Sequence, residues 1–281
     1  MSERALIAMS GGVDSSVAAA LMREWGYDCI GVTMKLYDND EVNVPREHSC
    51  CSLADTEDAR EVASALGMKY YVFSFAEDFA EKVIEPFIDA YENGRTPNPC
   101  IDCNRYMKFE KLYDRAKLLG YDTIVTGHYA RIRYDEASGR WQLLKARNLD
   151  KDQSYVLCFM TQEQLAATRF PLGDFESKDE VRAIAVRYGF SNAAKHDSED
   201  ICFVQNEDYG DFIERYTGKS YPSGDFVDEQ GNVLGHHRGI IRYTVGQRRG
   251  LGLALPRPLY VRAVCPMENT VVLAEENRLY A

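Results

Sequence analysis

The stretch NPCIDCN, residues 98–104, sets Cys100 and Cys103 three apart in a Pro- and Asn-rich turn. Thiols at that spacing can close a disulfide, clamp a metal or handle sulfur. A second stretch with chemistry is SGGVDSS, Ser10 to Ser16. Gly11 and Gly12 let the backbone turn tightly and approach an anion closely. The N–H groups of Val13, Asp14, Ser15 and Ser16, with the hydroxyls of Ser10, Ser15 and Ser16, would then face a phosphate at the positive end of a helix. The GK[ST] ending of a Walker A loop and its lysine are missing. A lysine-free loop suits pyrophosphate as a leaving unit, with Asp14 near Mg2+. A lone Gly-Gly would more simply be a strand–turn–helix cap; the complete seven-residue string outweighs that reading.

These residues need elements to hold them. ALIAM, residues 5–9, reads as a buried strand, and Ser15 to Trp25 as an amphipathic helix with Val17, Leu21 and Trp25 on one face and Asp14 or Ser15 as its cap. Strands follow at 29–34, 70–75 and 123–126, and helices at 55–66, 79–91 and 108–119. That alternation predicts an α/β fold, a doubly wound parallel sheet with helices on both faces. After Gly127 come a hairpin around ASG (129–134 with 141–145) and helices at 161–168 and 178–188. From Asn206 the chain is Gly-rich with short apolar runs: FVDEQGNVLG, a hairpin around an acidic-Gln-Gly turn, then GIIRYTVGQ, LYVRAVCP and TVVLAEE. Residues 1–205 therefore read as a catalytic domain and 206–281 as a small β-rich domain.

The chain has 281 residues, eight cysteines and a formal net charge of −11. No apolar run is long enough to span a membrane and no signal peptide opens it, so a cytoplasmic location with no membrane partner is expected. A reducing cytosol argues against a structural disulfide at Cys100 and Cys103. Acidic charge argues against a nucleic-acid partner, but its distribution does not. Between Glu229 and Glu268 lie Arg238, Arg242, Arg248, Arg249, Arg257 and Arg262 and no acid. Such a run suits phosphate contact as well as it suits arginines that only cover apolar edges.

SGGVDSS resembles the PP-loop of the ATP pyrophosphatases, which split ATP into AMP and pyrophosphate. GRTPNPCIDCNRYMKF (94–109), TGHYARI (126–132), KDQSYVL (151–157), SEDICF (198–203) and YTVGQRRGLG (243–252) resemble, in order, the motifs of the tRNA-specific 2-thiouridylase family. The resemblance implies thiolation of C2 of a wobble uridine in tRNA: ATP adenylates O2, and sulfur displaces AMP. It implies Cys103 as nucleophile, Cys202 as persulfide carrier, and Ser10 to Ser16, Met34 and Gly127 as nucleotide contacts. It implies Asn98 and Pro99 facing the target base, and His128, Lys151, Asp152 and Gln153 touching tRNA. Arg248 and Arg249 fall in a family motif with a structural or tRNA-facing role. Taken singly, His128 reads as a structural histidine, KDQ as a solvated turn and Cys202 as a core thiol; only the ordered series lifts them.

Cys100 departs from the family pattern, which commonly carries aspartate there. Cys100, Cys103 and Cys202 together could ligate a [4Fe–4S] cluster with one open iron. Such a cluster is expected slightly ahead of a persulfide relay, which needs no third thiol. Cys50 and Cys51, near His48, read as structural, and Cys29, Cys158 and Cys265 as core. Family members commonly continue into another β-barrel beyond the point where this sequence stops. A PP-loop enzyme acting on a small molecule and a non-catalytic iron–sulfur sensor are the competing functions.

Overall fold

The structure is a computed structural model, and it describes residues 3–37, 53–195, 201–204, 208–254 and 257–279. The expectations for His48, Cys50, Cys51, Ser198 to Asp200 and the boundary near Asn206 lie outside the described residues. The chain divides into two compact units, Met1–Lys82 with Cys100–Phe203, and Val83–Pro99 with Val204–Ala281.

The first unit is built on five strands: β1 (Arg4–Ala8), β2 (Asp28–Lys35), β3 (Lys69–Ser74), β4 (Thr123–Val125) and, after the β5–β6 hairpin (Ala130–Asp135, Arg140–Lys145), the two-residue β7 (Thr168–Arg169). Their order is β3-β2-β1-β4-β7, all parallel. Ala5, Leu6 and Ile7 are fully buried because β1 is covered on both faces. The flanking helices include α1 (Val13–Glu24), α2 (Leu53–Ala65) and α3 (Lys178–Arg187). α1 buries Val17, Ala18, Ala19, Ala20, Leu21 and Met22, and its run of alanines lets it lie close to the sheet. The doubly wound sheet is as the alternation predicted. Thr168, the first residue of β7, is the last residue of the helix expected over 161–168; two strand residues are too few to show a period.

Two wide-turn helical stretches interrupt α-helix: Ala80–Ile84, and Cys103–Leu112 between the α-helical segments Pro99–Asp102 and Tyr113–Leu118. The second begins at a cysteine of the thiol turn, and widened turns of this kind collect at functional sites.

The second unit carries helix α4 (Tyr209–Thr217) and a four-stranded sheet of β8 (Gly224–Val227), β9 (Val233–His237), β10 (Tyr260–Cys265) and β11 (Thr270–Ala274), in the order β10-β11-β8-β9. The β8–β9 hairpin turns at Asp228, whose carboxylate accepts from the amides of Gln230 and Asn232. GIIRYTVGQ is not a strand. Ile240–Arg242 is a 3-10 turn entered at Gly239, whose φ of 104° a side chain would resist. Phe87, Tyr91, Tyr209 and Phe212 form this unit's aromatic cluster.

Candidate active site

In an open parallel sheet, ligands bind beyond the carboxyl ends of the strands, where the strand order reverses direction. Here the chain runs outward from β1 to β2 on one side and later returns to β4 on the other. The switch point therefore lies between β1 and β4, and the SGGVDSS turn leaves β1 there. The exit of β1 is pinned. The Met9 amide donates to the Val32 carbonyl at 2.8 Å, and the Thr33 hydroxyl donates to the Met9 carbonyl at 2.7 Å.

Gly12 caps α1 with extended backbone and no side-chain bond. The expected Asp14 or Ser15 cap does not form. The hydroxyls of Ser15 and Ser16 both donate to the Gly12 carbonyl at 3.0 Å, and Asp14 is occupied elsewhere. Among the described residues no side chain is thus seen to cap the first-turn N–H groups, the condition an anion at a helix N-terminus requires. Gly11 holds φ of 75°, and a Cβ there would strike the Asp55 backbone. A Cβ on Gly127 would meet the Asp14 carbonyl carbon and the Ser15 nitrogen at 2.8 Å, so the β4 loop and the start of α1 touch backbone to backbone. Met34 is half-buried near the carboxyl end of β2.

The loop itself lacks a lysine, but the fold brings two from far along the chain. Lys178, at the start of α3, donates to both carboxylate oxygens of Asp14 at 2.6 and 2.7 Å. The Tyr129 hydroxyl adds a third bond to Asp14 at 2.8 Å. Lys195 reaches the Gly11 carbonyl at 3.4 Å and pairs with Asp55 and Asp58, which raise its pKa against the pull of burial. Beside it, buried Asn192 donates to the Gly11 carbonyl and to Ser16 Oγ, each at 2.9 Å. Among the described residues its Oδ1 has no hydrogen-bond partner. None of Lys178, Asn192 and Lys195 was legible as a site residue, because each lies more than 160 residues from the loop it supports.

Cys100 is exposed; Cys103 and Cys202 are half-buried. Lys108 brings its Nζ to 3.5 Å from His128 Nε2, tying the Cys103–Leu112 stretch to the loop after β4. Lys111 pairs with Asp78 at 2.6 Å, and neighbouring Phe79 stacks edge-on against Phe203, the residue after Cys202. The Tyr37 hydroxyl, two residues beyond β2, donates to the Cys202 carbonyl at 2.7 Å. Both thiol-bearing segments are thus anchored at the carboxyl edge of the sheet, on the same short helix Ala76–Phe79. Among the described residues, however, no group of three or more His, Cys, Asp or Glu side chains is gathered to hold a metal. The three thiols do not form a ready ligand set for a cluster.

His128 is buried between Phe109 and Phe170, with Nδ1 2.7 Å from the Thr126 hydroxyl. Burial, with Lys108 adding to it, drives its pKa well below the ordinary value, so the ring is neutral. Asp152 accepts from the Ala146 amide and the Ser154 hydroxyl, and Gln153 from the Tyr129 amide; Lys151 is half-buried beside them. Asn98 is exposed and Pro99 buried, both in the second unit. Of the thiols read as core, Cys29 is buried, with its pKa pushed up to about 11, and Cys265 is half-buried. Cys158 is exposed instead, because Val156 and Leu157 fill the inward side of its turn.

The arginine run loses much of its apparent charge in space. Arg242 pairs with Asp208, Asp211 and Glu214, Arg257 with Glu275, and Arg262 with Glu229. Among the described residues no ion pair engages Arg238, Arg248 or Arg249.

An uncapped Gly-Gly turn at the switch point of a parallel sheet, braced by lysines, defines a nucleotide-handling α/β domain of the PP-loop class. A family model described as the tRNA methyl transferase HUP domain matches residues 3–206, and one described as the tRNA methyl transferase PRC-barrel domain matches residues 210–275. The tRNA-specific 2-thiouridylase MnmA of Clostridioides difficile is 49% identical over 100% of this chain and 77% of that protein. The one from Acetivibrio thermocellus is 51% identical over 99% of this chain and 78% of that protein. The chain belongs to this tRNA-specific 2-thiouridylase family. The U34-tRNA thiolase NcsA of Methanococcus maripaludis, solved with its [4Fe-4S] cluster, superposes with a TM-score of 0.43 at 15% identity over 77% of this chain and 64% of that one. That likeness is too loose to bear on mechanism.

Proposed function

We propose that this protein thiolates C2 of the wobble uridine of tRNA, using ATP; its relatives are named tRNA-specific 2-thiouridylases, and the phosphate-type turn supplies the case for ATP. The observation that carries the reading is that an uncapped phosphate-type turn and two anchored thiol segments share one edge of one sheet. The family models are named for methyl transfer; thiol-bearing segments anchored at the edge of the sheet that carries such a turn suit sulfur transfer better.

In this reading the uridine O2 attacks the α-phosphorus of ATP and pyrophosphate leaves. Ser10, Gly11, Gly12, Val13, Ser15 and Ser16 hold the phosphates, with Met34 and Gly127 beside the nucleotide. Mg2+, when bound, neutralises phosphate charge, and Asp14 is the turn's carboxylate for it. Lys178 holds both oxygens of Asp14, so ammonium and metal compete for them. A persulfide on Cys202 then adds its terminal sulfur to C2, and AMP departs with O2. Cys103 attacks the Cys202 sulfur, freeing the thiocarbonyl and leaving a disulfide that a thiol reductant reopens. Asn98 and Pro99 would face the base. Lys151 would contact the tRNA, with Asp152, Gln153 and the neutral His128 shaping the loops that present it.

The cluster reading is the alternative for sulfur delivery, motivated by exposed Cys100 three residues from Cys103. Nucleoside mass spectrometry of tRNA incubated with the protein, ATP and a persulfide or sulfide source tests the function; 2-thiouridine is expected. ATP–pyrophosphate exchange without tRNA would favour a small-molecule substrate, and ATP binding without turnover would favour a sensor. Iron and sulfide counts on anaerobically purified protein decide the cluster: thiolation by an iron-free protein removes it.

A further inference from the structure

Outside the thiol turn, one surface of the first unit holds aromatic rings in water. In the 3-10 turn Ser154–Leu157 the side chains of Val156 and Leu157 point inward. Tyr155 on the same turn is 59% exposed, and Phe159 just beyond it is 51% exposed. Arg105, exposed and two residues past Cys103, holds its guanidinium 4.7 Å from the Phe159 ring centroid and 4.8 Å from that of Tyr106. The turn packs on the Cys103–Leu112 stretch, so these rings belong to the surface that carries Cys103.

An exposed ring forgoes the burial that makes aromatics useful in a core. A guanidinium lying over the Phe159 and Tyr106 rings, with Tyr155 exposed on the neighbouring turn, is poorly matched to an apolar protein partner, whose binding would desolvate the charge. These groups match unpaired nucleic acid, whose bases offer π faces to rings and to guanidinium planes while phosphates take the cation. The acid on the preceding loop, Asp152, is taken up by Ala146 and Ser154.

We propose that Tyr155, Phe159 and Arg105 form a stacking face for unpaired bases of the RNA substrate, flanking the base that is modified. The proposal rests on the tRNA-modifying reading and adds to it where the neighbouring bases go. Stacking tolerates any base, so this face would hold a single-stranded loop without reading its sequence.

The test is fluorescence anisotropy of a labelled RNA stem–loop with an unpaired loop, titrated with the full chain at two salt concentrations, beside a fully paired duplex. Tyr155→Ala and Phe159→Ala should each weaken stem–loop binding by roughly tenfold, with unchanged melting temperature and unchanged salt dependence. Phe159→Trp should retain affinity, and its indole fluorescence should be quenched by the stem–loop and not by the duplex. Arg105→Ala should weaken binding and lower the salt slope by roughly 0.7. Binding by both alanine variants within twofold of wild type overturns the proposal while sparing the tRNA reading. Failure of the wild-type chain to bind any RNA overturns the reading and the proposal together. Loss of a concentration-dependent self-association in the variants, with RNA binding intact, would mark a protein interface and overturn it as well.

Discussion

Replacing Lys178 by Met keeps most of the apolar stem and removes only the ammonium, which makes it a clean probe of the bracing at the phosphate turn. That ammonium lies 2.6 and 2.7 Å from the two oxygens of Asp14. The lysine side chain is 13% exposed and the aspartate 31%. Exposed pairs contribute about 0–1 kcal/mol, and breaking a buried pair costs about 3–5 kcal/mol. This pair lies between those limits. Asp14 also keeps the Tyr129 hydroxyl at 2.8 Å and its place in the first turn of α1, where the helix dipole favours an anion. The cost is therefore about 2 kcal/mol, or a fall of roughly 4–8 °C in melting temperature for a domain of this size. Urea denaturation of wild type, Lys178→Met, Asp14→Asn and the double variant isolates the pair, with an expected coupling of about 1–2 kcal/mol. Magnesium-dependent ATP binding followed on the same proteins should shift to lower Mg2+ in Lys178→Met, because the ammonium no longer competes for Asp14. Additivity within about 0.3–0.5 kcal/mol would show that Lys178 and Asp14 do not meet in solution, and the bracing account would fail.

Three further outcomes follow from the packing. Burial holds the His128 pKa far below 6.5, so the unfolded chain takes up a proton that the folded chain refuses. Its contribution is complete above pH 6.5 and falls by roughly 1.4 kcal/mol per pH unit below that, and the stability of His128→Asn should lack this component in a pH series of urea melts. Gly127→Ala should cost about 1–3 kcal/mol and weaken ATP binding, read by calorimetry, because its methyl would drive into the Asp14–Ser15 backbone. In RNA binding, Arg248→Ala or Arg249→Ala should each lower the salt slope by roughly one unit; Arg242→Ala should leave the slope alone and reduce stability, since its 12%-exposed guanidinium is committed to three carboxylates. Equal slopes for all three variants would contradict that partition.

Much was legible in one dimension because its cause is local. The apolar runs that become β1, β2 and β4 are continuous because a central parallel strand is buried on both faces, and the Gly-Gly turn declares itself through backbone freedom that few other residues have. The β8–β9 hairpin was visible for the same reason: its Asp228 turn closes on its own amides. GIIRYTVGQ stayed unassigned within the β-rich domain because a short apolar run has no period long enough to separate a strand from a buried 3-10 turn. The exposed Cys158 was misread because its apolar neighbours Val156 and Leu157 belong to the opposite side of the turn.

Residue order alone determined the parallel α/β sheet, the phosphate-type turn and the spacing of the cysteines, since each depends on contacts within a strand, a turn or a motif. Only the tertiary structure decided which charges meet. It put Lys178 and Lys195 beside a loop that carries no lysine of its own, neutralised half of an arginine run that is acid-free along the chain, and enclosed His128 in aromatic rings. The reason is range: backbone preferences act over a few residues, whereas ion pairing and burial depend on distances in space that the chain sets only once it has folded.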